Sequence, residues 1–386
     1  MGNWVVAIMA VQLVVLLALY VLGHRHVRGG NGPEPAPGKF PRVAVIMPLT
    51  GDTPVMRQAL ASILDQDYPD YTVLCVTESE TDPAVAMGRE VAAGSNRLVQ
   101  VVAGPATTCG QKNHNILAGI RAASTAEVYV FYDSTHLANQ HFVTNLVAPI
   151  ARDDAAMTSG FHRIVPEDSR TGTIGMLITC MALHLLQPIR AITQPWGGAM
   201  AISRQAFDRF GLYALWSRNI VDDFSMGPHL HRWGLPAWPV AAACLETPLS
   251  GMTLSRWDAW LTRQLLYLKF CIPPGWLVSI LAVLVLSAPP VLGAVALLGA
   301  IPGAVGPAMA LVTVCYWVVF LGIGLLYRGL SPRPVPVMAW LRGYVATFLM
   351  LAWTFGRTFT TNTMSWRGID YKVGWGGVVR AVIRRK

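Results

Sequence analysis

Asp133 stands directly after the apolar run "YVFY" (Tyr129 to Tyr132), and Glu78, Glu80 and Asp82 follow "VLCV" in the same way. A third polar stretch, "PLTGD" (Pro48 to Asp52), follows "VAVIM". A carboxylate at the end of a buried strand can hold Mg²⁺ or Mn²⁺ whose other ligands are phosphate oxygens. It can also cap the next helix, since Asp-Ser-Thr is a good N-cap run. Asp222 and Asp223 in "NIVDDFSMG" leave a similar choice. Neighbouring carboxylates repel, which raises the pKa of one and readies it to accept a proton from a hydroxyl. The plainer alternative is a solvated helix start capped by Asn219 or Asp222. "AGPATTCGQKNHN" sets a Gly-Pro turn before a helix start and suits a phosphate cradle. No P-loop, G-x-G-x-x-G, G-x-S-x-G or H-E-x-x-H competes with these groups. His162 and His184 stand alone and read as ordinary structural histidines.

The elements that would position these residues alternate regularly. "VAVIM" (Val43 to Met47), "YTVLCVT" (Tyr71 to Thr77), "RLVQVVA" (Arg97 to Ala103) and "EVYVFY" (Glu127 to Tyr132) read as strands. "PVMRQALASILDQ", "AVAMGREVAAG" and "QKNHNILAGIRAAS" between them read as helices. Strands apolar on both faces and separated by helices predict an α/β domain with a mostly parallel sheet between helical layers. In such sheets ligands bind beyond the carboxyl ends of the strands. Asp133, Glu78, Asp82 and the Pro48 to Asp52 stretch therefore fall on one rim.

The rest of the chain reads as membrane protein. Of 386 residues 53% are apolar and only 13% charged, against about 25% charged in ordinary soluble domains. No charged residue or histidine occurs from Met1 to Gly23, and no Asp, Glu, Lys or Arg from Phe270 to Tyr327. The first stretch lacks a basic n-region and a small-x-small cleavage site and is followed by "HRHVR", which predicts a retained anchor with its C-terminal end in the cytoplasm. The second, interrupted by "GAIPGAVGP", holds two spans, Trp276 to about Leu298 and Pro307 to Tyr327. A further apolar segment, Val335 to Gly356, contains Arg342 and precedes a tail with seven basic residues. The charge rule predicts a re-entrant or in-plane segment there, which keeps the tail cytoplasmic. The expected organisation is thus an anchor (1–23), a Pro/Gly linker (24–41), a cytoplasmic catalytic domain (42–250), an interfacial amphipathic segment (251–274), membrane or re-entrant segments (275–356) and a basic tail (357–386). The formal charge of +9 needs no nucleic acid, because basic residues beside a bilayer are drawn to anionic headgroups. No nucleic-acid-binding motif accompanies it. The six cysteines form no C-x-x-C pair and read as free, buried thiols.

The order of these features resembles the ceramide glucosyltransferases, a membrane-bound branch of the family 2 glycosyltransferases. The resemblance runs from the anchor to about Phe270 and includes "MPLTGDTPVMRQALASILDQDYPDYTVLCVTESETDPA". It implies a GT-A-type, Rossmann-like catalytic domain and a UDP-sugar donor. Asp82 of "TDPA", with Glu78 upstream, would contact the nucleotide. Asp133 would hold the metal, with Thr135 where a second aspartate of a D-x-D might stand. Lys112 and Asn115 match a Lys-x-x-Asn expected near the donor, Gly198 of "PWGGAMAIS" would border the acceptor, and His184 matches a family histidine. Asp223 falls on the aspartate expected to act as catalytic base. The tail's "TMSWRGIDYKV" looks like a Trp-Arg-Gly tail of related bacterial lipid glycosyltransferases.

One motif departs from the pattern. The family's Q/R-x-x-R-W is replaced by "WLTRQ" (Trp260 to Gln264), which keeps Arg263, or by "TLSRW" (Thr253 to Trp257), which supplies Arg256 and Trp257. The resemblance implies inverting transfer of a hexose, glucose foremost, from UDP-glucose with Mg²⁺ or Mn²⁺ to a hydroxyl of a membrane lipid such as ceramide. Other lipid acceptors (diacylglycerol, hopanoid, polyprenyl) remain open. The rivals are a processive polysaccharide synthase, which needs an intact motif and more spans, and a non-catalytic membrane scaffold.

Overall fold

The computed structural model describes residues 3–30, 34, 38–300 and 305–385. Parts of the expected linker (31–33, 35–37) and of the break between the two expected spans (301–304) lie outside the described residues, as does Lys386. The chain runs α1 (Asn3–Val27), β1 (Val43–Pro48), α2 (Pro54–Leu64), β2 (Tyr71–Thr77), α3 (Pro83–Val91), β3 (Leu98–Val102), α4 (Gln111–Ala122) and β4 (Val128–Tyr132). It continues with α5 (Phe142–Ala151), β5 (Met157–Pro166), α6 (Thr171–Leu186), β6 (Ala199–Ser203), α7 (Arg204–Arg209), α8 (Leu212–Trp216), α9 (Asp223–His231), β7 (Trp238–Leu249) and α10 (Leu254–Cys271). Three long helices, α11 (Pro273–Ala300), α12 (Pro307–Arg328) and α13 (Val337–Thr360), precede strands β8 (Thr363–Trp366), β9 (Ile369–Val373) and β10 (Val379–Arg384).

The main sheet has the order β3-β2-β1-β4-β6-β5-β7. Its first four strands are parallel, as their two-faced apolar sequences require. Alternation along each strand splits the core: Val43, Val45 and Met47 pack with α2 and α5, while Ala44 and Ile46 pack with α4. The second half was not legible in the pattern. There β6 enters antiparallel to β4, pairing Ala199 with Tyr132, and β5 lies antiparallel to β6 and parallel to β7. This register brings the loop before Ala199 beside Asp133.

Among the described residues four helices, α1, α11, α12 and α13, are long and apolar enough to cross a membrane. The fourth is continuous from Val337 to Thr360 and so lacks the break of a re-entrant segment. It lies along the α/β unit: Gly343 meets Ile174 and Gly175 of α6, and the Lys269 ammonium of α10 donates to the carbonyls of Thr358 (2.5 Å) and Thr361 (3.3 Å). The tail folds into the three-stranded antiparallel sheet β10-β9-β8. The six cysteines are unpaired, but Cys315 is exposed on α12 and Cys244 half-buried, so not all are the buried thiols expected.

Candidate active site

The alternative of a helix cap at Asp133 is not formed, because the next helix begins at Phe142 with His141 at its cap. Asp133 instead ends β4 at the sheet rim, where its N–H donates to the Gly198 carbonyl (3.3 Å) across the β4–β6 register. Lys112, in the first turn of α4, reaches into the same space. Its ammonium lies 2.8 Å from Asp133 Oδ1 and 3.1 Å from Asp222 Oδ2, and donates to the Gly197 carbonyl (3.2 Å). Asp223 opens α9 and accepts the N–H of Gly197 on Oδ2 (3.0 Å) and that of Phe224 on Oδ1 (2.6 Å). Asp222 is fully buried and faces Lys112 without a hydrogen bond to either oxygen. Neither aspartate is a solvated helix start.

Glycine is required where the loop before β6 threads between these groups. A Cβ on Gly197 would lie 2.5 Å from Asp222 Oδ2, and one on Gly198 would collide with the Trp196 ring. The indole is itself held by His162, stacked on it at 4.5 Å, and by His136 at 4.9 Å. Both imidazoles meet Thr247 Oγ1 through Nδ1, at 2.7 Å for His136 and 2.8 Å for His162. Burial and the Lys112 charge lower the His136 pKa to about 3, and burial with His136 lowers that of His162, so the two rings are neutral supports.

The charges in the cleft are coupled. Burial, reinforced by the Asp222 charge, raises the Asp223 pKa to about 7 against the opposing Lys112 ammonium and the two N–H donors. Burial disfavours the Lys112 charge, but Asp133, Asp222 and Asp223 together outweigh it and hold the ammonium protonated. A carboxylate poised near neutrality beside a fixed cation can take up a proton at physiological pH.

Arg263 joins this cleft and the alternative pair does not. With Lys112, Tyr267, Trp366 and Tyr371 it lines a cavity of about 60 Å³. Tyr267, one helical turn beyond Arg263, has its pKa pushed up to about 12 by burial, with Arg263 opposing and Asp223 adding to the rise. Trp257 is fully buried against Gly175 in the membrane-side core, and Arg256 is exposed near the start of α10. "WLTRQ" is therefore the segment that shares a cavity with Lys112. His184 also lies elsewhere, buried between Phe161 and His26 of α1 with Phe161 separating it from Trp196. Asn115 is buried, accepting from Gln111 (2.8 Å) and donating to the Val76 carbonyl (3.3 Å), so it ties α4 to β2 instead of facing the open rim. Asp82 caps α3 through the Ala84 N–H (2.9 Å) and also accepts the Gly51 N–H (2.7 Å), which fixes the rim loop.

The residues that sequence reasoning missed are Gly197, Tyr267 and the tail. The Tyr371 hydroxyl accepts the first N–H of α4, from Gln111 (3.2 Å). Arg384 donates to Glu78 (2.6 Å) and to the Gln111 side chain (2.8 Å), and Arg367 donates to the Thr50 carbonyl (2.7 Å). The Trp-Arg-Gly stretch carried that signal, but nothing in its spacing indicated where it would dock.

Comparison with known proteins bears on this arrangement. The family model described as Glycosyl transferase family 21 matches residues 4–379. A ceramide glucosyltransferase of Komagataella phaffii is 36% identical over 53 residues, which is 14% of this chain and 10% of that protein, so the match spans about a tenth of the relative's length. Among solved structures, the mannosyltransferase PcManGT from Pyrobaculum calidifontis, in complex with GDP-Man and Mn²⁺, superposes with a TM-score of 0.54 at 18% identity. The superposition covers 92% of this chain and 99% of that one, so the fold is shared over nearly the whole length.

Proposed function

The chain belongs to glycosyl transferase family 21, and from that premise we propose that it transfers glucose from UDP-glucose to the hydroxyl of a ceramide-like membrane lipid with inversion at the anomeric carbon. The observation that carries this reading is Asp223, whose raised pKa of about 7 and contact with Gly197 leave a base within the electrostatic reach of Lys112, itself paired with the neighbouring Asp222. Asp223 accepts the proton of the lipid hydroxyl as its oxygen attacks the anomeric carbon. The bond from that carbon to the diphosphate breaks, and its electron pair leaves with the diphosphate. Lys112 and Arg263, on one wall of the cavity, stabilise the negative charge that collects there.

The residues present fit a divalent cation of the kind implied by the family. Among the described residues no three His, Cys, Asp or Glu side chains converge to form a closed metal site. Asp133, about a third exposed at the rim, is the carboxylate that would hold such an ion, with donor phosphates and water completing its shell. Bound there, Mg²⁺ or Mn²⁺ supplies charge neutralisation for the departing diphosphate.

The acceptor reading draws support from the membrane face. Arg263 and Tyr267 lie on α10, which leads directly into α11, so the cleft sits within reach of a hydroxyl carried at the bilayer surface. Basic residues after α1 and at the end of α12 favour a cytoplasmic catalytic unit. The continuous α13, laid along α6 and α10, is assigned to the plane of that surface.

Purified protein in detergent with Mn²⁺, UDP-glucose and ceramide should release UDP and yield a lipid heavier by one hexose, and Asp133→Asn and Asp223→Asn should each suppress both signals. UDP release without a lipid product would move the acceptor away from ceramide. No release from any of several sugar nucleotides with a membrane lipid extract would overturn the transferase chemistry assigned to these residues.

A further inference from the structure

We propose that the C-terminal sheet β8–β10 is part of the donor site and that Arg367 and Arg384 bind the donor's diphosphate. This rests on the reading above that the ligand is a nucleotide sugar.

The sheet docks on several of the segments that form the rim. Its β10 side joins the segment ahead of Asp222: the Ile220 N–H donates to the Gly377 carbonyl (2.9 Å) and the Val379 N–H to the Arg218 carbonyl (2.8 Å). Tyr371 sits on the N-terminus of α4, one residue from Lys112. The β8–β9 turn reaches the opposite side, where Arg367 touches the loop after β1. Arg367 has φ of +47° and the following Gly368 +78°. An arginine in the left-handed region is uncommon and is retained where the surrounding structure holds it. Partial desolvation lowers its pKa, opposed by the charge of Asp82.

The present partners of the two guanidiniums leave much of their capacity unused. Arg367 makes one side-chain hydrogen bond, to a neutral carbonyl, and Arg384 is held by Glu78 and a glutamine oxygen at the rim. Planar guanidiniums pair best with two oxygens of a phosphate or carboxylate. The cavity under Trp366 and Tyr371 is about 60 Å³, whereas small-ligand sites are typically about 300–1,000 Å³. On this proposal the sheet shifts as a nucleotide sugar enters, which frees Arg367 from Thr50 and Arg384 from Glu78. Both cations then lie over the same rim as Lys112 and Asp133, and phosphate oxygens replace their former partners.

The test titrates UDP, with Mn²⁺ present, into full-length detergent-purified wild type, Arg367→Ala, Arg384→Ala, the two lysine variants and Arg385→Ala. Arg385 pairs with Asp370 of β9 in the same sheet (2.7 Å) and reports on sheet integrity. Each alanine variant is expected to weaken UDP binding about tenfold or more, the scale of a lost charge-assisted hydrogen bond. The lysine variants should recover part of it, uridine binding should be unchanged, and Arg385→Ala should behave as wild type. Hydrogen exchange across 363–384 should change on adding UDP to wild type. Equal UDP affinity in wild type and both alanine variants, or equal losses for UDP and uridine, overturns the diphosphate role while leaving the transferase reading intact. Wild type that binds neither UDP nor another nucleoside diphosphate removes the donor assignment itself, and this role with it.

Discussion

Asp223 draws its proton affinity from two residues that flank it in different ways, Asp222 in sequence and Gly197 across the loop. With Asp223 as the proposed base, the active form is the deprotonated carboxylate, so kcat/KM should rise with pH and level off above about 7, the raised value for Asp223. Asp223→Asn should cost about 10²–10⁴ in rate, the usual weight of a positioned base. Linkage adds a sign that thermal melts can check. The folded pKa is raised from 3.8 to about 7, so the protonated form stabilises the fold at low pH and that contribution is lost as pH rises through 7. The melting temperature of Asp223→Asn should therefore gain on wild type between pH 5 and pH 8. Gly197→Ala would push a methyl into Asp222 Oδ2 and should lower kcat about 10²-fold, the scale of a small misplacement of reacting groups. The places of Asp133 after a strand and of Asp223 at a helix start were legible from the order of the elements. The crowding that demands Gly197 was not, since it arises only after β6 pairs with β4.

At the scale of elements, α10 divides its aromatic and basic residues between two jobs. Trp257 fills the space over Gly175, so Trp257→Ala should destabilise the fold by about 3–5 kcal/mol, read from denaturation. Arg263→Ala should instead leave stability near wild type and lower kcat by about 10²–10³, as for a lost donor to developing charge. Arg256→Ala, on the exposed side, should change neither by much. The sequence offered both arginines in near-equivalent motifs, and helical phase relative to α6 decided between them. The path of α13 is a separate matter. Single cysteines at Val337 and Thr360 in a cysteine-free background should both label with an impermeant reagent from the side that carries the catalytic unit. Labelling from opposite sides would mean that the helix crosses the bilayer.

Across the whole molecule, one α/β unit rests on a helical base and the chain then returns to cover the rim from which it set out. The parallel half of the sheet and three of the long helices were readable from apolar periodicity and charge gaps. The tail was not, because short strands with mixed composition gain their meaning from what they dock against. A stop codon after Asn362 should leave the helical base intact, as judged by membrane fractionation, yet abolish donor-dependent UDP release. The contact between Glu78 and Arg384 joins residues 306 positions apart, with α11, α12 and α13 between them. During synthesis a ribosome must therefore deliver all three helices before the rim can be covered. Synthesis of the whole helical base thus precedes covering of the rim, and a chain still lacking β10 cannot yet make the Glu78–Arg384 contact.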